Sequence, residues 1–512
     1  MSSTIAELLR LTMSGNYIER VYAKEVRAFK EISVEFSKGF NFIAGENGVG
    51  KTSILAIISH CTNIRSFTES KFTENSELHF DAIHNNERIR CGHGEGSIKI
   101  GGYREDTLRL HNTPSDKGAE NRRLLHAYEL ESKKINLSPL FIGAVRSISY
   151  LGLEGIKKEN NKVHCQNQYR QASTMSLING SGTSVKQWII NRYFIIDKGW
   201  AWEEKNNFEH FTSRLAKLAP FDSDFKYVDT GRDMEPVFEL HGKKCYLEQL
   251  SSGFQSVLTI VTSIIEWIEK CNDEGSRDIR TASGTVIIDE LDAHLHPEWQ
   301  LRIRDGLEVI FPNVQFIVTT HSPHLIASAK ENEVIVMRKS DDDTYDLKAE
   351  SKSYSGWTTD QILKDVMGVK GLDNKLYAVL IDDAFDKLAD KDIRALEESI
   401  VNLEKVTHPD DTICMVLRTK LAGLKAVSDE DIATVMMDTR GVVKSSLAAR
   451  PTRGRVKSSL VARPTRGRAK SSLVARPTRG RARFDLTDKP AKEIEDETTE
   501  VTKPFDDLKV TD

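Results

Sequence analysis

The run Gly45-Glu46-Asn47-Gly48-Val49-Gly50-Lys51-Thr52 has the spacing GxxxxGK[ST]. Glycines at these positions let backbone N–H groups close around phosphate oxygens at a helix N-terminus, the lysine reaches the terminal phosphates, and the hydroxyl ligates Mg²⁺. The residue types therefore predict a nucleoside triphosphate site, ATP with Mg²⁺, in which Gly45 to Lys51 cradle phosphate and Thr52 faces the metal. A glycine-rich turn is the bland alternative. The apolar run Phe40 to Ala44 before it and the helical pattern after it count against that alternative.

Two further groups could join such a site. Val286 to Glu290 (VIIDE) ends an apolar strand in adjacent acids. That order suits Asp289 holding Mg²⁺, directly or through water, and Glu290 polarising the attacking water. The next apolar strand ends in TTHSPH, where the His321 imidazole could hydrogen-bond the γ-phosphate and report its loss; a structural histidine is the alternative. Ser251, Ser252 and Gly253 open a long helix, where hydroxyls and unpaired backbone N–H groups can bind an anion or, equally, form an N-cap.

These residues need a scaffold, and the apolar pattern supplies one. Loose alternation from Ile18 to Phe36 predicts hairpin strands that feed a buried strand at Phe40 to Ala44. From Thr52 a helix should bury Ile54, Leu55, Ile57 and Ile58. VIID at Val286 to Asp289, a helix after Pro297, and VQFIVTT at Val314 to Thr320 make a βαβ unit, hence a parallel sheet covered on both faces. Ligands gather at the carboxyl ends of such strands. The expected domains are an N-terminal part of the head over 1–60, an inserted lobe with the remaining head strands over 61–245, and the rest of the head over 246–350. A helical C-terminal domain over 351–438 and a disordered tail over 439–512 complete the chain. Within the lobe, GHGEGSIKIGG and LINGSGTS read as breaks; later, EVIVMR and YDLKA lie close enough to form a hairpin.

Composition sets limits. The chain has 512 residues, 39% hydrophobic and 29% charged, with mean hydropathy −0.41, as expected of a globular protein. Its apolar runs are strand-sized and no secretory leader is evident, so a cytoplasmic protein without membrane spans is expected. The six cysteines are scattered without metal-ligand spacing. The net charge of −4 hides an asymmetric tail: KSSLAARPTRGRV, KSSLVARPTRGRA and KSSLVARPTRGRA run from Lys444 to Ala482 and carry twelve positive charges without one acid, and an acidic stretch extends from Asp485 to Asp512. The repeats read equally as a solvated spacer or as an electrostatic trap for nucleic acid.

Taken in order, GENGVGKT, LSSGFQ, VIIDELDAHLHP and TTHSP resemble the ATPase core of the ABC type found in SMC, RecF and OLD proteins. The resemblance implies an α/β head with a mixed sheet and flanking helices. It makes Leu250 to Gly253 the signature motif that closes on ATP held by a second subunit, and Leu291 with Asp292 the D-loop. The sequence departs from the commonest signature at Ser252 and Phe254, and no Q-loop glutamine is assigned.

With SSGFQS, DAHLHPEWQ and THSPHLIAS, the sequence is further similar to the PtuA family, the ATPase subunits of Septu anti-phage systems that also accompany some retrons. That likeness implies slow ATP hydrolysis, a dimer or higher oligomer through the heads, and a PtuB-like HNH nuclease partner. For the retron form it also implies a reverse transcriptase with its msDNA. The alternatives are an SMC- or RecF-like DNA-repair ATPase with a coiled-coil arm, and an OLD-type nuclease with a Toprim domain. Residues 60–245 hold no sustained heptad for such an arm. Asp341 to Asp343 offer only a DxD spacing between two expected strands.

Overall fold

The computed structural model describes residues 15–63, 72–100, 107–132, 137–146, 155–179, 184–219, 224–369, 375–409 and 411–426, with a few further positions between 135 and 153. The basic repeats, the acidic end and Gly180 to Thr183 of the LINGSGTS run lie outside them. The chain divides into two compact units, Met1–Leu417 and Arg418–Asp512.

The heart of the first unit is a five-stranded parallel sheet in the order β14 (Val334–Met337), β3 (Phe40–Gly45), β13 (Val314–Thr319), β12 (Gly284–Ile288) and β8 (Leu140–Ile142). These strands are buried along their length because both faces are covered, which is why apolar residues dominate them. Alternate side chains serve two cores. Phe42, Val286, Ile288, Phe316 and Val318 join the core that holds Ile260, Ile264 and Ile303, while Ile43, Ile287, Ile317 and Ile335 join Ile54, Leu55 and Ile58.

A mixed sheet forms the second layer: β15 (Thr344–Leu347), β2 (Phe29–Glu35), β1 (Tyr17–Val26), β4 (Phe72–His84), β5 (Glu87–Ile100) and β6 (Thr107–Asn112), with β7 (Arg123–His126) also pairing β5. The buried Gln315 amide joins the two layers, accepting from Ile18 N at 2.8 Å and donating to Ile18 O and Ser37 O at 2.7 Å. A small antiparallel sheet, β11 (Lys243–Tyr246), β10 (Pro236–Leu240) and β9 (Lys226–Thr230), precedes the signature region.

Among the described residues the α-helices are α1 (Lys51–Thr62), α2 (Ala127–Ser132), α3 (Lys162–Asn179), α4 (Val185–Ile195), α5 (Trp202–Thr212), α6 (Leu215–Leu218), α7 (Ser252–Cys271), α8 (Pro297–Ile310), α9 (Pro323–Ser328), α10 (Thr359–Asp365), α11 (Lys375–Asp390), α12 (Ile393–Glu404) and α13 (Thr412–Ala426). Leu396, Ile400 and Leu403 of α12 recur at helical spacing and are buried, as are Ile381, Ala384 and Leu388 of α11, the helix it packs against. No helix among the described residues is long and apolar enough to cross a membrane.

Two expectations fail. The glycine-rich run at Gly92 to Ile100 is no break but the second half of β5, which absorbs the glycines in a register shift between Gly94 and Ser97. EVIVMR and YDLKA do not form a hairpin. Val334–Met337 pairs with β3 in one layer and Thr344–Leu347 with β2 in the other, both in parallel, each completing the edge of its own sheet. Asp341 to Asp343 therefore sit in the crossover between layers, where Asp343 takes a left-handed φ of 54°.

Candidate nucleotide-binding site

The phosphate loop leaves β3 and enters α1, and its shape depends on glycine. Gly45 has φ 147°, and a Cβ there would stand 2.1 Å from Met337 O on the neighbouring strand. Gly50, at φ 111°, would drive a Cβ to 2.7 Å from the Phe29 ring. Asn47 and Gly48 are exposed at the tip, Val49 packs partly on the second core, and the Glu46 side chain lies beside Gly368. Lys51 is buried and donates to Gly45 O at 2.9 Å and Glu46 O at 2.8 Å, so its ammonium is held inside the loop. Burial lowers its pKa, against the opposing field of Asp289, Glu290 and Asp292.

At the end of β12, both oxygens of Asp289 lie 3.1 Å from the Thr52 hydroxyl, although the two residues are 237 apart in sequence. The Thr319 hydroxyl donates to Asp289 Oδ1 at 2.5 Å and accepts from Glu290 N at 2.8 Å. Two hydroxyls turned toward one carboxylate give oxygen ligands of the kind a hard divalent cation takes. Glu290 is partly exposed and adopts a left-handed φ of 50°, a conformation that costs a non-glycine residue about 1–2 kcal/mol. His321 is exposed at the end of the adjacent strand. Burial of its ring, and after it the Lys51 charge, lower its pKa, while Asp292, Glu290 and Asp289 oppose. Asp292 in turn accepts from Thr320 Oγ1 at 2.6 Å and from His321 N at 3.1 Å, tying the turn after β12 to the one after β13.

The structure thus gathers Lys51, Thr52, Asp289, Glu290 and His321 at the carboxyl ends of β3, β12 and β13. Ser251 to Gly253 open α7 elsewhere on the head. There Ser251 makes no capping bond, Ser251 and Ser252 are exposed, and Gly253 packs against His294 O and the Trp299 indole. The start of that helix is therefore exposed at its two serines and buried at Gly253 and Phe254.

Sequence reasoning missed Arg146. This side chain, four residues beyond β8 and 2% exposed, donates from Nε to Ser256 Oγ at 2.9 Å and from Nη1 to Gly143 O at 3.0 Å and Asp289 O at 3.1 Å. Its Nη2 donates to Glu290 O at 2.6 Å and Ala293 O at 3.2 Å. One guanidinium therefore fixes the strained Glu290 turn and joins it to α7. Burial draws its pKa down to about 10, with Asp292, Glu290 and Asp289 opposing, so it stays charged at neutral pH. The available signal was the position of GAVR just past a short apolar strand, where site residues of parallel sheets collect. Arg27 and Phe29, on the β1–β2 hairpin, were missed as well; Arg27 donates to Ser53 Oγ at 3.2 Å and Phe29 covers Gly50.

A phosphate loop after β3, acids after β12, a histidine after β13 and a helix start with two exposed serines define a P-loop ATPase head of the ABC type. Residues 161–327 match the family model described as AAA domain, putative AbiEii toxin, Type IV TA system. Over 411 residues the chain is 26% identical to the Septu protein PtuA of Bacillus thuringiensis, a match spanning 78% of this chain and 96% of that protein. It is 30% identical over 151 residues to the Retron Vc95 probable ATPase of Vibrio cholerae serotype O1 biovar El Tor, 27% of this chain and 29% of that one. A solved SMC head bound to the C-winged helix domain of ScpA aligns with 67% of this chain and 100% of its own, at 17% identity and TM-score 0.37.

Proposed function

We propose that this chain is the ATP-binding and ATP-hydrolysing regulatory subunit of an anti-phage defence complex, and that its nucleotide state restrains or releases an HNH nuclease carried by a partner chain. The observation that carries the ATPase part is the Thr52–Asp289 pairing beside the buried Lys51. In this reading Gly45 to Lys51 bind the phosphates, Thr52 and Asp289 hold Mg²⁺, Glu290 orients the attacking water, and His321 senses the γ-phosphate. Bound Mg²⁺ supplies positive charge to the β and γ phosphates. Ser251, Ser252 and Gly253 meet the ATP of a second head, a role consistent with the exposure of the two serines. Similarity to a PtuA protein over most of the chain supports the defence role, and similarity to a retron ATPase supports a reverse transcriptase with its msDNA as further partners. A coiled-coil arm of the repair-ATPase kind finds no support: between α1 and α7 the longest described helix is α3, with 18 residues.

The test is to express the chain with its neighbouring reading frames. It is expected to copurify with an HNH protein, and Lys51→Ala is expected to abolish protection in a plaque assay. Full protection by the Lys51→Ala complex would refute the role of ATP.

The basic repeats fit the same complex as a sequence-tolerant hold on nucleic acid. They contain no aromatic residue, so binding rests on counterion release and not on base stacking. Deleting residues 444–482 is expected to weaken nucleic acid binding and flatten its dependence on salt, with ATP hydrolysis unchanged. An unaltered salt slope would make the repeats a spacer.

A further inference from the structure

Thr319 closes β13, next after Val318, which pairs with Ile288 of β12, so it stands beside Asp289 in the parallel register. It is 1% exposed, and both its hydroxyl and its carbonyl serve the turn after β12. The hydroxyl gives its single proton to Asp289 Oδ1 at 2.5 Å and accepts from Glu290 N at 2.8 Å. The carbonyl accepts from Leu291 N at 3.0 Å. Three consecutive residues are thereby tied to one. The tie complements that of Arg146, whose guanidinium takes the carbonyls of Asp289, Glu290 and Ala293, while Thr319 takes the N–H groups of Glu290 and Leu291. The left-handed Glu290 is held from both sides of its backbone.

The two hydroxyls on Asp289 are not equivalent. Thr52 lies 3.1 Å from each carboxylate oxygen, so one proton is shared between two acceptors. The Thr319 bond goes to Oδ1, has the short length of a charge-assisted bond, and leaves the hydroxyl committed as donor and acceptor at once. Thr52 can turn its lone pairs to a cation by giving up that shared proton contact. Thr319 would have to release Asp289 or Glu290 to do the same.

We propose that Thr319 is a positioning residue for metal-dependent hydrolysis, acting through Asp289 and Glu290 and not on the ion itself. By occupying Oδ1 it presents Oδ2 to Mg²⁺, and the same oxygen anchors the backbone from which the Glu290 side chain reaches the attacking water. This inference rests on the roles of Asp289 and Glu290 proposed above. Groups that hydrogen-bond a metal ligand in this way typically change metal affinity or activity about 10–100-fold when removed. The neighbouring hydroxyl serves another purpose: Thr320 donates to Asp292 Oδ1 at 2.6 Å and accepts from Ser322 N at 2.9 Å, with no bond to Asp289.

The test uses the full chain with a non-hydrolysable ATP analogue bound, and Mn²⁺ as the probe, its free fraction followed by electron paramagnetic resonance. The parent is expected to bind Mn²⁺. Thr319→Val keeps the shape and removes the hydroxyl; it should lose about 10–100-fold in Mn²⁺ affinity, while affinity for the analogue in EDTA stays at the parental value. Thr319→Ser restores the hydroxyl and should restore Mn²⁺ binding, and Thr320→Val should leave it unchanged. If Thr319→Val does not fold, Thr319→Cys takes its place: its thiol is a weak donor, and the same direction of loss is expected. Parental Mn²⁺ affinity in the valine or cysteine variant overturns the proposal. So does a serine variant as weak as valine, which would make the residue one of packing, or an equal loss in Thr320→Val. A parent that binds no Mn²⁺ overturns the metal site at Thr52 and Asp289 and this inference with it, whereas binding indifferent to Thr319 overturns this inference alone.

Discussion

Glu290→Gln is expected to lower ATP turnover by about 10²–10⁴-fold, the contribution typical of a positioned general base, while ATP affinity changes little. The reason is geometric. The phosphate cradle is built by Gly45 to Thr52, and the Thr52–Asp289 pairing does not involve the Glu290 side chain. Glutamine keeps the size and the backbone bonds of the turn, so only the ability to take a proton is removed. Lys51→Ala should do the reverse and lose nucleotide binding itself, because it deletes the ammonium held at Gly45 O and Glu46 O. Arrested hydrolysis should also trap heads closed on ATP through Ser251 to Gly253, visible as an ATP-dependent rise in mass by light scattering. Parental turnover in Glu290→Gln would remove Glu290 from the catalytic role, and a mass indifferent to ATP would remove the composite site.

The second large effect is expected at Arg146. Truncation to alanine strips donors from five backbone carbonyls and the Ser256 hydroxyl, in a buried setting where each unsatisfied group costs about 1–3 kcal/mol. Arg146→Ala should therefore melt well below the parent. Arg146→Lys keeps the charge and some of the bonds but cannot span from Ser256 to Ala293. It should remain folded and bind ATP, yet turn over about 10²-fold more slowly, because the Glu290 turn is no longer held in its left-handed conformation. Turnover equal to the parent in the lysine variant would show that Arg146 serves folding alone.

Much of this site was legible in the sequence because its parts lie at the ends of strands buried on both faces. Val286 to Ile288 is an apolar run, Phe40 to Ala44 and Val314 to Val318 are apolar but for Asn41 and Gln315, and parallel pairing brings the turns at their carboxyl ends to one edge of the sheet. Arg146 was not legible. Apart from the Ser256 hydroxyl its partners are backbone carbonyls, of Gly143 and of residues 289–293, and carbonyls carry no side-chain signature. The crossing of Thr344–Leu347 to the outer layer was hidden for a related reason. A short turn between two short apolar runs favours a hairpin locally, and only the vacant edge of β2 and the vacant edge of β3 draw the runs apart. In β5 the glycines signalled a break by composition, but antiparallel pairing with β4 up to His93 and with β6 from Gly94 to Ile100 outweighed them.

The order of strands in the parallel sheet also bears on how the protein is made. β3, which launches the phosphate loop, lies between β13 and β14; Asn41 donates to Phe316 O across a sequence separation of 275 residues. Neither neighbour of β3 exists when it leaves the ribosome. At about 5–20 residues per second, the wait for both is roughly 15–60 s. Throughout that time β3 and the buried side of α1 have no parallel sheet to join, so the loop between them is expected to bind nucleotide only after Met337 has been synthesised.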